Sequence, residues 1–308
     1  MTEKKGRPLL YIFLFVFSFV FFLYLTFPYG VLKEAIVVEI SKATGYSIRV
    51  KEFGPSLPLG FECEGVQVTS RDGTQRIEIE EVDVSLSVFA LLIGRVSVDA
   101  DLVSKGGGEM SIGSSWGILQ LAVDQNFIPN YVELEADEFD IGSLASFGIQ
   151  SYAKSANDMI KGTLNKLRID GNLEGTVELD LAVDDPTASS GTVDLRINKG
   201  MLDLNDENLG VAKQKFKKAV VQASLEKGAL RINKKSGFHT QELTVDLNGN
   251  TTFRNPLPNS RLNVGVDVKL DGKLKENFDF FLNMAGGKNG TVTYKLSGTL
   301  GRPSFRTQ

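Results

Sequence analysis

Residues 262–270 read LNVGVDVKL, and apolar side chains occupy every second position of this stretch. Polar or charged side chains, among them Asn263, Asp267 and Lys269, stand between them. Successive side chains of a β-strand point to opposite faces of its sheet, so this period of two predicts a strand with one apolar and one polar face. A helix would instead repeat its apolar positions every three or four residues.

The same alternation recurs along most of the chain. It covers residues 77–88, 96–102, 132–134, 173–183, 193–197, 243–247 and 292–296. Dipeptides typical of tight turns separate or flank these segments, namely Asp72-Gly73, Asp170-Gly171, Lys199-Gly200, Lys227-Gly228, Asp271-Gly272 and Asn289-Gly290. Because the spacing between segments is short, we expect most neighbouring strands to be antiparallel.

Three segments have apolar residues at helical spacing. The first covers Val31–Ala43 and stops before Gly45, which fits a helix C-terminus. The second runs from about Ser143 to Leu164, and the third lies near Glu276 to Ala285. The predicted fold class is therefore mainly β, a long, twisted, mostly antiparallel sheet with two or three short helices after an N-terminal transmembrane helix.

That transmembrane helix is predicted from the uncharged run between Leu9 and Phe27, LLYIFLFVFSFVFFLYLTF. As a helix the run would be about 28 Å long, close to the thickness of the hydrocarbon core. Lys4, Lys5 and Arg7 precede it, and this positive charge places the N-terminus in the cytoplasm. We expect residues 1–28 to form a tail and anchor and residues 29–308 an exported β-rich domain, with a subdivision near 130–165 left open.

A cleaved signal peptide is the alternative reading of the same run. Its apolar region would be about 7–15 residues long and would end at a small-x-small cleavage site. The run here is longer, and Thr26-Phe27-Pro28 offers no such site. The pattern therefore favours an uncleaved single-pass anchor.

Composition argues against several function classes. The 308 residues include 34 Lys and Arg against 38 Asp and Glu, so the net charge is −4 and the basic excess of a nucleic-acid-binding protein is absent. Cys63 and His239 are the only residues of their types, so neither an intrachain disulfide nor a Cys/His zinc site can form. We expect no catalytic, cofactor-binding or metal-binding residue, and no nucleic-acid partner.

One motif points the other way, because Gly113–Gly117 reads GSSWG and matches G-x-S-x-G. In an α/β-hydrolase Ser115 would be the nucleophile and His239 its base. Residues 118–123 show no amphipathic helix, however, and the alternating αβ pattern of that fold is absent. We interpret the motif as a turn with Trp116 at a sheet end, and His239 as a loop or sheet-edge residue.

Four further features are interpreted as structural. The acids beside Cys63 should raise its pKa and make it unreactive. The segment 106–108 (GGG) predicts a wide turn or a bulge, and Asp184-Asp185-Pro186 predicts a turn. The lysine cluster is read as a solvated strand face, with a phosphate or partner contact as the alternative; its members are Lys213, Lys215, Lys217 and Lys218.

The apolar face of the predicted sheet is the candidate binding surface. Its residues are Leu179, Leu181, Leu195, Ile197, Leu247, Val264, Val266 and Val268. With too little helix to cover it, this face would form a groove for acyl chains. The alternative is an ordinary core, closed by the helices and by curvature of the sheet.

Two sets of motifs resemble known families. The segments 42–50 (KATGYSIRV), 54–61 (GPSLPLGF) and 64–68 (EGVQV) resemble the N-terminal region of AsmA-like bacterial envelope proteins. The segments 255–263 (NPLPNSRLN) and 294–303 (YKLSGTLGRP) resemble the long form of type II secretion system protein N, also called general secretion pathway protein N.

The resemblance implies two functions of different classes. The first is a non-catalytic inner-membrane subunit of the type II secretion machinery, facing the periplasm, with the secretin or the inner-membrane platform as partner. The second is an AsmA-like module that carries phospholipid acyl chains in a groove-like sheet. The motifs themselves are turn signals, and the family supplies no catalytic residues.

Overall fold

The computed structural model describes residues 11, 14, 15, 18, 22, 26, 28–57, 59–70, 73, 76–123, 126–155, 166–182, 184–204, 213–284, 286–287 and 289–307. Seventeen β-strands form one sheet in this part of the chain. The strands are β1 (Ser47–Arg49), β2 (Glu52–Ser56), β3 (Gly60–Thr69), β4 (Arg76–Leu86), β5 (Arg95–Ser104), β6 (Glu109–Gly117), β7 (Tyr131–Asp140), β8 (Leu167–Asp180), β9 (Ser190–Leu204), β10 (Gln214–Lys215), β11 (Lys218–Glu226), β12 (Ala229–Ile232), β13 (Gly237–His239), β14 (Leu243–Thr252), β15 (Arg261–Leu270), β16 (Thr291–Thr299) and β17 (Arg302–Thr307).

Five α-helices and two short 3₁₀ turns accompany the sheet in the described residues. The helices are α1 (Tyr29–Thr44), α2 (Val88–Leu92), α3 (Ile118–Ala122), α4 (Gly142–Ser155) and α5 (Gly272–Met284). The 3₁₀ turns cover Pro186–Ala188 and Leu257–Asn259. No described helix combines the length and the apolar character needed to cross a membrane. The anchor predicted over residues 9–27 lies mostly outside the described residues.

The sheet is an antiparallel meander in which most strands pair with their neighbours in the chain. Consecutive strands are paired from β3 through β9, with register shifts in the β4–β5, β7–β8 and β8–β9 pairs, and from β14 to β17. In three places two successive strands pair with different parts of one partner strand. These are β1 and β2 along β3, β10 and β11 along β9, and β12 and β13 along β14. The predicted mainly β, antiparallel fold is confirmed.

Helices lie at both ends of the strands. We call the end where α2 follows β4 and α3 follows β6 the upper end. The opposite end, where α4 follows β7 and α5 follows β15, is the lower end. Two buried clusters lie at the lower end, one formed by Met110, Ala136, Phe139 and Ile141, the other by Leu270, Leu274 and Val292. The compact core is thus concentrated where α4 and α5 meet the sheet.

Two of the turns predicted from Gly-containing dipeptides are wrong. Asp170-Gly171 lies inside β8 and Lys199-Gly200 inside β9, where the register shifts between Asp170 and Asn172. Lys199 and Gly171 both have positive φ angles, 51° and 151°. A Gly-containing pair serves a bulge as well as a turn, because both need unusual backbone angles. Lys227-Gly228, in contrast, is the predicted hairpin turn, between β11 and β12.

The helix predictions are confirmed with shifted bounds. Helix α1 ends at Thr44, and Gly45 adopts the left-handed conformation (φ 76°) of a C-cap. The second predicted helix begins one residue early, at Gly142, and is described as far as Ser155; the remainder to 164 lies outside the described residues. Helix α5 begins four residues before the predicted Glu276. Val88, predicted to continue a strand, instead begins α2.

Candidate functional site: the apolar face

The registers place the predicted groove residues on one face of the sheet. Leu247 of β14 stands opposite Val266 of β15, which in turn stands opposite Tyr294 of β16. On β8 and β9, Leu173 stands opposite Ile197. The face continues to the first strands through the pairs Val132–Leu179, Ile112–Leu134, Leu102–Met110 and Val82–Leu102.

Each predicted groove residue is half-buried, in contrast to the fully buried clusters at the lower end. This holds for Leu179, Leu195, Ile197, Leu247, Val264, Val266 and Val268 within strands. Leu181 is also half-buried but follows the last residue of β8, and its N–H donates to the Asn130 carbonyl (2.6 Å). The apolar face is therefore covered only in part by the rest of the described chain.

A concave apolar cavity of about 200 Å³ lies on this face where β8, β9, β11, β13 and β14 meet. Three predicted groove residues line it, Leu195, Ile197 and Leu247. The other predicted residues lie on the same face outside the cavity. The lining that the sequence prediction missed consists of Ile169, Leu173, Arg196, Phe216, Ala219, Val220, Val221, Gly237 and Phe238.

Two phenylalanines form one wall of the cavity. The rings of Phe216 and Phe238 meet with centroids 5.9 Å apart and planes tilted by 45°. The N–H of Phe216 donates to the Gly200 carbonyl (2.8 Å), and the Phe216 ring lies against Gly200, where a Cβ would overlap it. The bulge at Lys199-Gly200 thus makes room for the aromatic wall.

The lysine cluster borders Phe216 in the chain. Lys215 and Lys217 flank Phe216 in the chain, and both are exposed. Lys213 forms an ion pair with Asp203 (3.0 Å). Lys218 is half-buried at the start of β11. None of the four lysines is among the residues that line the cavity.

The polar face is strongly acidic along β4 to β8. Burial, followed by the neighbouring carboxylates of Asp101 and Glu133, raises the pKa of Asp99 above its ordinary value. Burial and the carboxylates of Glu62 and Glu64 raise the pKa of Glu81 in the same way. Repulsion between like charges on adjacent strands opposes folding.

Replacing Asp99 with asparagine should therefore stabilise the fold by a few tenths of a kcal/mol at pH 7. Because the pKa of Asp99 is raised on folding, its ionised form disfavours the folded state above that pKa, and the penalty disappears as the pH falls through it. Urea unfolding at pH 7 and at pH 3 tests this, with Asp184→Asn in an exposed loop as the control. An equal gain at both pH values would contradict it.

Ser115 and His239, the two residues considered as a catalytic pair, lie on β6 and β13, which are not neighbours in the sheet. Gly113–Gly117 belongs to β6, with Ser115 between Ser97 and Tyr131 in the ladder, so the predicted turn is wrong. A one-turn helix, α3, does follow it, contrary to prediction. His239 is half-buried on the interior strand β13, not at an edge, and its Nε2 lies 2.7 Å from Asp246 Oδ1.

Cys63 is the one cysteine of the chain, and it lies among the described residues. Cys63 is buried, and burial, more than the nearby Asp83 and Glu62 carboxylates, raises the pKa of its thiol. The predicted direction of the shift in the pKa of Cys63 is confirmed.

No group of three His, Cys, Asp or Glu side chains in the described ranges is placed to hold a metal ion. The turns predicted at Gly106–Gly108 and at Asp184–Pro186 are both present.

No protein-family model, curated protein or solved structure matches the chain.

Proposed function

We propose that the chain is a non-catalytic envelope module, anchored in the inner membrane by the run between Leu9 and Phe27, that binds a phospholipid acyl chain on its apolar face. The observation that supports this most strongly is the apolar cavity at Leu195, Ile197 and Leu247. Its lining is almost free of polar atoms, and the apolar residues around it are half-buried. An acyl chain would complete their burial.

The energetics favour exchange of lipid over storage. Removing about 12 methylenes from water would contribute about 10 kcal/mol, within the range of about 4–15 kcal/mol that association costs. A chain that moves from a bilayer into the groove is already out of water, so the transfer is close to neutral. Such a surface suits a protein that takes lipid from one membrane and passes it on.

A polar side chain in the cavity should weaken lipid binding. Val221 lines the cavity and is 40% exposed, so glutamine should fit there without disturbing the core. An amide without a partner in an apolar site costs about 1–3 kcal/mol, so Val221→Gln should reduce copurifying lipid about tenfold, measured by mass spectrometry. Thr192→Gln, exposed on the polar face of β9, is the matched control. Equal lipid content in both variants would contradict the proposal.

A second function is supported by a different feature, the outer edge of β17. This strand pairs with β16 on one side, and among the described residues no strand pairs with its other side. Its exposed arginines, Arg302 and Arg306, suit an acidic partner strand. Strand addition at this edge would make the chain an assembly subunit of the type II secretion machinery, the family that its C-terminal motifs resemble.

A further inference from the structure

Large apolar side chains are exposed at the upper end of the first strands. They project from the connections that hold α2 and α3, between β4 and β5 and between β6 and β7. The exposed set is Phe89 (82%), Leu92 (77%), Ile93 (74%), Leu119 (73%), Val123 (71%) and Phe127 (74%). Leu57, in the connection between β2 and β3, is 69% exposed at the same end.

The two connections form one patch, because they are hydrogen-bonded to each other. The N–H of Ile118, at the start of α3, donates to the carbonyl of Gly94, just after α2 (3.0 Å). The supporting strands β5 and β6 are also paired, up to Arg95 opposite Gly117. We call the six exposed residues on these connections the apolar tip.

Several backbone N–H and C=O groups of the apolar tip form hydrogen bonds within their own connection. Ala90 N–H donates to Ser87 Oγ (3.3 Å), and Ile93 N–H to the Ala90 carbonyl (3.1 Å). In the second connection Val123 N–H donates to the Leu119 carbonyl (2.8 Å), and Gln120 Nε2 to the Ile128 carbonyl (2.6 Å). Internal pairing of this kind is what a segment needs to leave water for lipid.

Amphipathic side chains surround the base of the tip. Trp116 occupies the next-to-last position of β6, and its indole N–H donates to the Phe127 carbonyl (2.9 Å). Tyr131 begins β7, and the exposed Arg95 begins β5. Tryptophan, tyrosine and arginine below an apolar tip match the chemistry of the bilayer interface, where aromatic rings and cationic groups meet the lipid head groups.

The N-terminus of helix α1 points toward the same end. Its C-terminus leads through Gly45 into β1, and Ser47 of β1 stands opposite Thr69, the last residue of β3, at the lower end. The helix then lies back along the sheet, because Lys33 Nζ donates to the Val50 carbonyl (2.9 Å). Tyr29 lies about 6 Å further along the helix axis than Lys33, toward the upper end. The apolar run from Leu9 to Phe27 precedes, in the chain, the end of α1 that points toward the upper end.

We propose that the apolar tip inserts into the interfacial layer of the same phospholipid bilayer that holds the N-terminal run, giving the protein a second contact with that membrane. The inference rests on the anchor assigned under the proposed function. The contact is limited to the first half of the sheet, since the upper end beyond β8 carries the exposed acids Asp184 and Asp185. Insertion of the tip places one rim of the apolar face against the bilayer from which lipid would be taken.

Depth-dependent fluorescence quenching in proteoliposomes tests the insertion. The full chain is labelled with an environment-sensitive fluorophore at Phe89→Cys or Leu119→Cys, in vesicles of phosphatidylethanolamine and phosphatidylglycerol with or without brominated acyl chains. Lys105→Cys, in the exposed turn at the lower end, is the matched control, and Leu14→Cys reports the anchor. The wild-type chain gives the background, because its Cys63 is buried.

We expect brominated lipid to quench the probes at positions 14, 89 and 119 and to leave the probe at 105 unchanged. Quenching at 14 alone would overturn the insertion while leaving the anchor intact. A blue-shifted but unquenched probe at 89 that depends on protein concentration would also overturn it, by showing that a second copy covers the tip. An unquenched probe at 14 would refute the anchor, and the insertion with it.

Discussion

Replacing Phe139 with alanine is expected to lower the free energy of unfolding by about 3–5 kcal/mol. Phe139 is 2% exposed and belongs to the lower-end cluster with Met110, Ala136 and Ile141. It stands opposite Leu173 of β8, so its ring joins β7 to the next strand. Truncation would leave a cavity that these strands can close only in part. Urea unfolding followed by circular dichroism gives the difference.

The control for this substitution is Phe89→Ala, which removes the same side chain from a position that is 82% exposed. In aqueous solution its effect should stay within about 0.5 kcal/mol. If both variants lost the same stability, the lower-end cluster would not be the core of the fold.

Replacing Gly175 with valine is the second large effect that we expect, a loss of about 3 kcal/mol or more. Gly175 lies inside β8 with φ 121°, an angle that side chains with a Cβ rarely adopt. A Cβ at this position would overlap the carbonyl oxygen of Asp194 on β9. The strands would have to separate next to Leu195, so thermal unfolding and lipid content should both change.

Gly54→Ala is the matched control for the glycine substitution. Gly54 also lies in a strand, β2, but no heavy atom stands within 4 Å of the Cβ it would gain. A small effect is therefore expected at this position. If Gly175→Val melted at the temperature of Gly54→Ala, the close approach of β8 and β9 would be refuted.

The faces of the sheet were predictable because the alternation in this chain is strict. Residues 262–270 lie within β15 (Arg261–Leu270), and their apolar positions stand opposite those of β14 and β16. Such a register is well specified, since a slip by one residue would turn the valines toward the acidic face. The same argument holds for β8 and β9, which the sequence predicts nearly as clearly.

The turns were less predictable, because one local signal serves two structures. Lys227-Gly228 connects two strands, whereas Lys199-Gly200 bulges within one, although both pairs place a lysine at positive φ. What decides between them is pairing with other strands, since beyond the bulge β9 pairs with β8 as far as Leu204 and with β10 at Met201 and Leu202. Local sequence carries no information on that pairing.

The cavity was predictable only in part. Leu195, Ile197 and Leu247 belong to long strands with clear alternation, so their shared face could be deduced. Phe216 lies between the two-residue strand β10 and β11, and Phe238 belongs to the three-residue strand β13, so no alternation is visible around either. A phenylalanine between lysines, as at position 216, is the one signal that could have indicated the wall.

Helices α2 and α3 were missed for a related reason. The segments VFALL and ILQLA lack a polar face, so they read as strand or as loop. Ser87 is a sequence signal that was available, because its hydroxyl caps α2. These are the elements that carry the exposed tip, and local rules of this kind often fail at surfaces built for contact.

Photocrosslinking in native membranes tests the acyl-chain groove most directly. A photoreactive residue replaces Leu195 or Leu247 in the cavity, Glu178 or Asp267 on the polar face, or Arg306 on the edge of β17, and adducts are identified by mass spectrometry. We predict phospholipid adducts at positions 195 and 247 and none at 178 and 267. Cavity positions free of lipid, with secretin or other secretion subunits crosslinked at 306, would contradict the groove and establish the assembly subunit instead.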